Sequence, residues 1–115
     1  MDSNMIVRYG FKQWHLFSLR NKRPLLLQAG DNLGVYVIRH GSGGFGRLQG
    51  SSDILYIGKT TGQGGMKARI YPYFNPGPTQ WTNQRIYSFL QRQVPMEISF
   101  VTTQKPRQFE LELLQ

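Results

Sequence analysis

Cysteine is absent from these 115 residues, which removes disulfide scaffolds, thiol nucleophiles and cysteine-ligated zinc. Histidine is nearly absent: His15 and His40 are the only two. Neither has ligand-type neighbours at metal spacing, and no Ser/His or Cys/His triad is expected. No apolar run approaches the roughly 18 to 20 residues of a membrane span, and Met1-Asp2-Ser3-Asn4 opens no basic and then apolar export signal. An intracellular setting, cytoplasmic or nucleoid, without membrane association is therefore expected. Acids are scarce as well. Of the six, Asp2, Asp31, Asp53, Glu97, Glu110 and Glu112, only the last two lie close in sequence. A two-metal site gathers several carboxylates around one point, so any metal chemistry here is expected to use one ion. Against the six acids stand fourteen Lys and Arg, a formal charge of +8, which points to a polyanionic partner. With 39% hydrophobic residues, the chain is long enough for one modest core and too short for a second.

There is no internal repeat, and the one biased segment is the glycine-rich stretch 41–52 (GSGGFGRLQGSS). Short β-branched and aromatic runs flank it, 34–38 (GVYVI) and 54–58 (ILYIG). Two such runs joined by a Gly/Ser loop predict a β-hairpin with a long tip. Alternation sets Val35 and Val37 against Tyr36 and Ile38 in the first strand, and Leu55 and Ile57 against Ile54, Tyr56 and Gly58 in the second. Two tyrosines then share a face. Residues 60–65 read as a loop and 66–70 as a short helix that Pro72 interrupts, because proline biases Tyr71 away from helical geometry. Asn75-Pro76-Gly77-Pro78 marks a turn. Ile86, Phe89 and Leu90 fall at helical spacing within 80–93, with Arg85 and Arg92 on the remaining surface, and Pro95 ends that helix. Residues 96–102 (MEISFVT) alternate as a third strand with Met96, Ile98 and Phe100 on one face. Pro106 opens a final helix to the terminus. Residues 1–33 are expected as an N-terminal extension packed on or beside the core formed by 34–115, with a strand within 14–19 and a short apolar anchor at 24–28.

The final helix holds an anomaly. At about 100° per residue, Phe109, Leu111, Leu113 and Leu114 average to a direction close to that of Glu110, while Glu112 points nearly opposite. Unless the helix frays, such a carboxylate must be paired, metal-bound or at the edge of a cleft, since burying an isolated charge is prohibitive. Two phosphate motifs fail. Gly58-Lys59-Thr60 looks like the end of a P-loop, but the glycine required five positions earlier is Asp53. Gly41-Ser42-Gly43-Gly44-Phe45-Gly46 satisfies a dinucleotide fingerprint in letters, yet Arg47 to Asp53 shows no helical pattern for it to open.

What remains is a constellation. Gly34-Val35-Tyr36 on one strand and Tyr56-Ile57-Gly58-Lys59 on the next are followed by Arg69, by Tyr73-Phe74 four and five residues later, and by Glu110 within Phe109-Glu110-Leu111-Glu112-Leu113-Leu114. Taken singly, strand tyrosines pack, Lys59 and Arg69 are surface charges and Gly58 ends a strand. As an ordered set from residue 34 onward, they resemble the GIY-YIG endonuclease family.

The resemblance implies an α/β chain of the α+β type, a small three-stranded antiparallel sheet flanked by helices, with a phosphodiester-cleaving site on it. Glu110 would hold one divalent cation, Mg²⁺ with Mn²⁺ able to substitute, a hard ion suited to one carboxylate plus waters and phosphate oxygens. Arg69 would bind the scissile phosphate. Tyr56, with Tyr36 beside it and Lys59 near, would activate the attacking water, a task for which tyrosine needs neighbouring cations. Tyr73 completes the set, although Pro72 stands where relatives continue a helix and leaves Tyr71 as its rival. The long interval between Tyr36 and Tyr56 implies an extended hairpin tip. Many relatives carry an asparagine beyond the glutamate, and no equivalent can be named among the five residues after Glu110.

The expected function is one-metal, in-line hydrolysis of DNA, with RNA not distinguished from it. Arg39, Arg47, Lys67, Arg85 and Arg92 are expected to grip the backbone through contacts that position without reading sequence. Family members generally borrow target choice from attached domains or insertions. Weak sequence preference, or preference for a structure, is therefore expected unless a homodimer or targeting partner supplies more. The alternative is a non-catalytic nucleic-acid-binding module on the same scaffold, using the aromatics Trp14, Phe45 and Trp81.

Overall fold

The alternating runs build one antiparallel sheet in a computed structural model that describes residues 5–41, 53–60 and 62–114. In chain order the elements are β1 (His15–Leu16), α1 (Lys22–Ala29), β2 (Gly34–His40), β3 (Ile54–Thr60), α2 (Gly65–Phe74), α3 (Trp81–Gln91), β4 (Met96–Thr102) and α4 (Pro106–Leu114), with short 3₁₀ turns at Val7–Tyr9 and Leu19–Asn21. The sheet order is β1-β4-β2-β3, an α+β arrangement. It has four strands where three were expected. The fourth, β1, falls within the strand expected at 14–19, is only two residues long, and pairs His15 with Ile98 and Leu16 with Glu97. Arg47 and Phe45, in the hairpin tip, lie outside the described residues. Among the described residues no helix is long and apolar enough to cross a membrane.

The sheet has a core on each face, and the first 33 residues contribute to both. One face carries Tyr36, Ile38, Met96 and Ile98 beneath Leu25, Leu26 and Ala29 of α1, Met66, Ile70, Tyr73 and Phe74 of α2, and Ile86 and Leu90 of α3. The other carries Val35 and Val37 against Ile6, Phe11 and Leu113 of α4. Residues 1–33 are thus integral to the fold: Phe17 belongs to the first core and Phe11 to the second. His15 packs, stacked 5.3 Å from Phe100.

Two local readings are corrected. Ile54 was placed on the side of Tyr56, but it packs with Ile57 in the second core, because the register shifts between Ile38 and Arg39 and leaves Leu55 as the extra residue. A bulge reverses the alternation beyond it. Pro72 does not end the second helix, which runs on to Phe74. An interior proline costs about 3 kcal/mol, and burial of Tyr73 and Phe74 returns about 1.5–3 kcal/mol for each large side chain.

Cross-strand fit fixes the hairpin. Tyr36 pairs directly with Gly58, and a Cβ at Gly58 would overlap the Tyr36 ring and hydroxyl. Gly58 is glycine for space, not for a left-handed backbone. Gly58→Ala is expected to destabilise the fold by about 1–3 kcal/mol, the usual range for an overpacked core, read as a lower urea midpoint. An unchanged midpoint would show that the ring moves aside freely.

Candidate functional site

The site begins with how α2 is seated. Gly64 and Gly65 take positive φ angles of 83° and 59°, and a Cβ at Gly65 would strike the Asp31 carbonyl. That close approach lets the amides of Met66 and Lys67 donate to the carbonyls of Asn32 and Gly30, at 3.0 and 2.6 Å. The first turn of α2 is thereby tied to the loop before β2, and Arg69 and Tyr73, one turn apart on α2, face the hairpin.

Three tyrosine rings meet there. Tyr36, Tyr56 and Tyr73 have centroids 6.1–6.4 Å apart. The hydroxyls of Tyr36 and Tyr73 share a buried hydrogen bond of 2.6 Å. Arg69 donates to the Tyr56 hydroxyl at 3.3 Å, with its guanidinium carbon 5.6 Å from the Tyr73 ring and 6.0 Å from that of Tyr36. Tyr73, not Tyr71, is the residue brought to the cluster. Tyr71 is exposed, with the Lys22 ammonium 5.1 Å from its ring.

The three hydroxyls are not equivalent. Burial, helped by neighbouring Tyr73, drives the Tyr36 hydroxyl far above the ordinary tyrosine range, with Arg69 pulling the other way. Burial likewise pushes Tyr73 up to about 12, against the hydrogen bond from Tyr36 and the charge of Arg69. Both therefore stay protonated at neutral pH. Tyr56 is partly exposed, unlike the other two. Burial works against the charge on Arg69, but the tyrosine oxygens outweigh it.

Lys59 and Glu110 approach from the other face. Lys59 pairs with Val35, so it alternates away from Tyr56, and its ammonium donates to Glu110 Oε1 at 2.8 Å. Glu110 sits at the rim of the buried stripe of α4 and not at its centre. Pro106 and Leu113 are buried while Leu111 and Leu114 are exposed, which turns the helix away from the direction that averaging all four apolar residues implies. Because β3 is an edge strand, the two faces meet around it. A shallow hollow of about 240 Å³ is lined by Lys59, Thr60, Gly65 and Arg69, and a second of about 280 Å³ by Lys59, Arg107, Glu110 and Leu111. Lys59 is the wall between them. Thr60 Oγ1, beside the first hollow, is buried without a hydrogen-bond partner among the described residues.

Among the described residues no group of three or more His, Asp or Glu gathers to cage a metal. A Mg²⁺ ion that keeps several waters needs only one or two carboxylates plus substrate phosphates, and Glu110, with its side chain 15% exposed at the second hollow, fits that role. The backbone-gripping set divides. Arg39 is engaged internally: it donates to Glu97 Oε1 at 2.9 Å and lies 3.7 Å over the Trp14 ring. Arg85 and Arg92 stand on α3 over Phe89, and neither lines the hollows at β3. Lys67 is exposed on α2. Arg107 was missed, although its place three residues before Glu110 on a predicted helix was legible.

The raised tyrosines have a consequence for stability. Below about pH 10 both folded and unfolded chains keep these protons; above it the unfolded chain releases them and the native one does not, so stability falls as pH rises. Urea melts taken between about pH 9 and 11 are expected to lose stability more steeply for the wild type than for the Tyr36→Phe, Tyr73→Phe double variant. Parallel curves would remove the pair from this linkage. Comparison with protein-family models, with curated proteins and with solved structures finds no match to this chain.

Proposed function

We propose that this chain is a metal-dependent endonuclease that hydrolyses DNA phosphodiester bonds. The observation that carries the reading is the setting of Arg69, a half-buried guanidinium beside three tyrosines, with no carboxylate among its partners in the described residues. Taking a charge from water without a counter-charge is costly, so an anion arriving from outside is the missing partner. The planar guanidinium fork matches phosphate.

With a phosphate on Arg69, hydrolysis needs a water in line with the leaving oxygen, a base for its proton and relief of the charge that builds on phosphorus. Tyr56 is the base, half-exposed and held by Arg69 at 3.3 Å. The water oxygen bonds to phosphorus as the ester P–O bond breaks; the water proton passes to the Tyr56 oxygen as the Tyr56 hydroxyl gives up its own proton to solvent, and the departing oxygen takes a proton from solvent. Tyr36 and Tyr73, neutral and hydrogen-bonded to each other, hold Arg69 and Tyr56 in register and are positioning residues. Glu110 would hold Mg²⁺, which when bound supplies positive charge against the phosphate oxygens. Lys59, at the wall of both hollows, adds a second cation beside the phosphate.

Nicking of supercoiled plasmid tests the reading. The wild type is expected to nick only with Mg²⁺ or Mn²⁺, and Arg69→Ala and Glu110→Gln to lose about 10²–10³-fold. Tyr56→Phe, which removes the base, is expected to lose at least about 10²-fold, and Tyr36→Phe to lose less. Unaltered activity after Arg69→Ala or Glu110→Gln would overturn the site, and DNA binding without metal-dependent turnover would make the chain a binding module.

A further inference from the structure

Three hollows follow one another from the C-terminal end of β3 to the first turn of α4, and each boundary between them is a cation. Arg69 lies in the first, which ends at Lys59. The second runs from Lys59 past Glu110 to Arg107. The third, about 370 Å³, runs from Arg107 to Lys105 and Leu33. Among the described residues lining the three, Lys59, Arg69, Lys105 and Arg107 are cationic and Glu110 is the one acid. Arg107 is exposed on the first turn of α4, and among the described residues no hydrogen bond or ion pair engages it. Arg39, clamped between Glu97 and Trp14, shows what an internally used arginine looks like in this protein.

A small anion would call for cations converging on one point. Here they are spaced through adjoining hollows, the arrangement that suits a chain of like charges. Resting on the endonuclease reading and deepening it, we propose that Arg107 binds the phosphate adjacent to the scissile one. A single nucleic-acid strand then runs from the C-terminal end of β3 past the first turn of α4, with its scissile phosphate at Arg69 and Lys59, the next at Arg107, and Lys105 beyond. Glu110, between the two phosphate positions, is where a metal would serve the first without neutralising the second. Arg107 is a binding residue that fixes the path of the strand and takes no part in the proton transfer.

Counter-ion release measures this contact directly. Duplex binding is followed by fluorescence anisotropy across a salt series in EDTA, where metal-dependent cleavage is off. Each phosphate contact contributes about 0.9 to the slope of log K against log salt, so Arg107→Ala is expected to reduce the slope by about one. Arg107→Lys should retain most of it. Arg23→Ala, an exposed cation on α1 outside the three hollows, should leave the slope at its wild-type value. In nicking with Mg²⁺, Arg107→Ala is expected to raise KM several-fold with kcat kept. A wild-type slope for Arg107→Ala, or an equal loss for Arg23→Ala, would overturn the proposal. The two readings fail separately. A wild type that nicks while Arg107→Ala keeps its slope leaves the endonuclease and removes the strand path. A wild type that binds and never nicks removes the endonuclease, and the lost slope still places a phosphate on Arg107.

Discussion

The ring of Tyr36 occupies the space that a side chain at Gly58 would fill, and the rest of the site follows from that cross-strand fit. It holds β2 and β3 in the register that puts Tyr56 opposite Ile38, so that two tyrosines rise from one face. The Tyr36 hydroxyl, too deep for water, is satisfied by Tyr73 at 2.6 Å, which attaches α2 to the hairpin at a defined rotation. That rotation brings Arg69, one turn earlier, to the Tyr56 hydroxyl. A buried polar group left unpaired costs about 1–3 kcal/mol, so the hydroxyl pair is a constraint on α2 as much as a contact. Depth alone thus makes three identical side chains unequal, two of them buried and Tyr56 partly exposed.

The sheet separates the charged groups before its edge reunites them. Alternation sends Tyr56 and Lys59 to opposite faces, and on a central strand a wall of backbone would keep Arg69 and Glu110 apart. On β3, at the end of the order β1-β4-β2-β3, long side chains from both faces reach around the edge. The Lys59–Glu110 pair, with side chains 37% and 15% exposed, lies in the regime where an ion pair adds little net stability. Its consequence is geometric: the carboxylate is fixed in the second hollow, against the lysine that divides it from the first.

The strands, the third and fourth helices and the shared face of Tyr36 and Tyr56 were legible because each rests on a periodicity set by local geometry. The failures were tertiary. Leu55 bulges where the hairpin twists, and one extra residue reverses the face of Ile54. Pro72 stays helical because Tyr73 and Phe74 gain more from burial than the missing amide loses. The strand expected within 14–19 forms only at His15–Leu16, where β4 offers it an edge. Glu110 stood out as a carboxylate on an apolar face, yet all four apolar residues of that helix were weighted equally when only Leu113 is buried among them with Phe109 partly so. Composition also treated every cation alike, and Arg39 stacks on Trp14 in a contact that charge counting cannot see.

An exposed edge strand is a hazard in its own right. The outer side of a seven-residue edge strand invites another strand, and proteins commonly guard such edges with lysine or cover them with helices. Lys59, the start of α2 and the side of α4 do this for β3. The same arrangement makes a cationic groove, since guarding an edge with positive side chains and gathering a polyanion along it require the same geometry. A net charge of +8 attracts polyanions from a distance, within the reach that salt screening allows. It cannot by itself choose a place on the surface. Under the proposed function that choice falls to the edge, where among the described residues Arg69 has no acidic partner, Lys59 divides the hollows and Glu110 is the one carboxylate lining them.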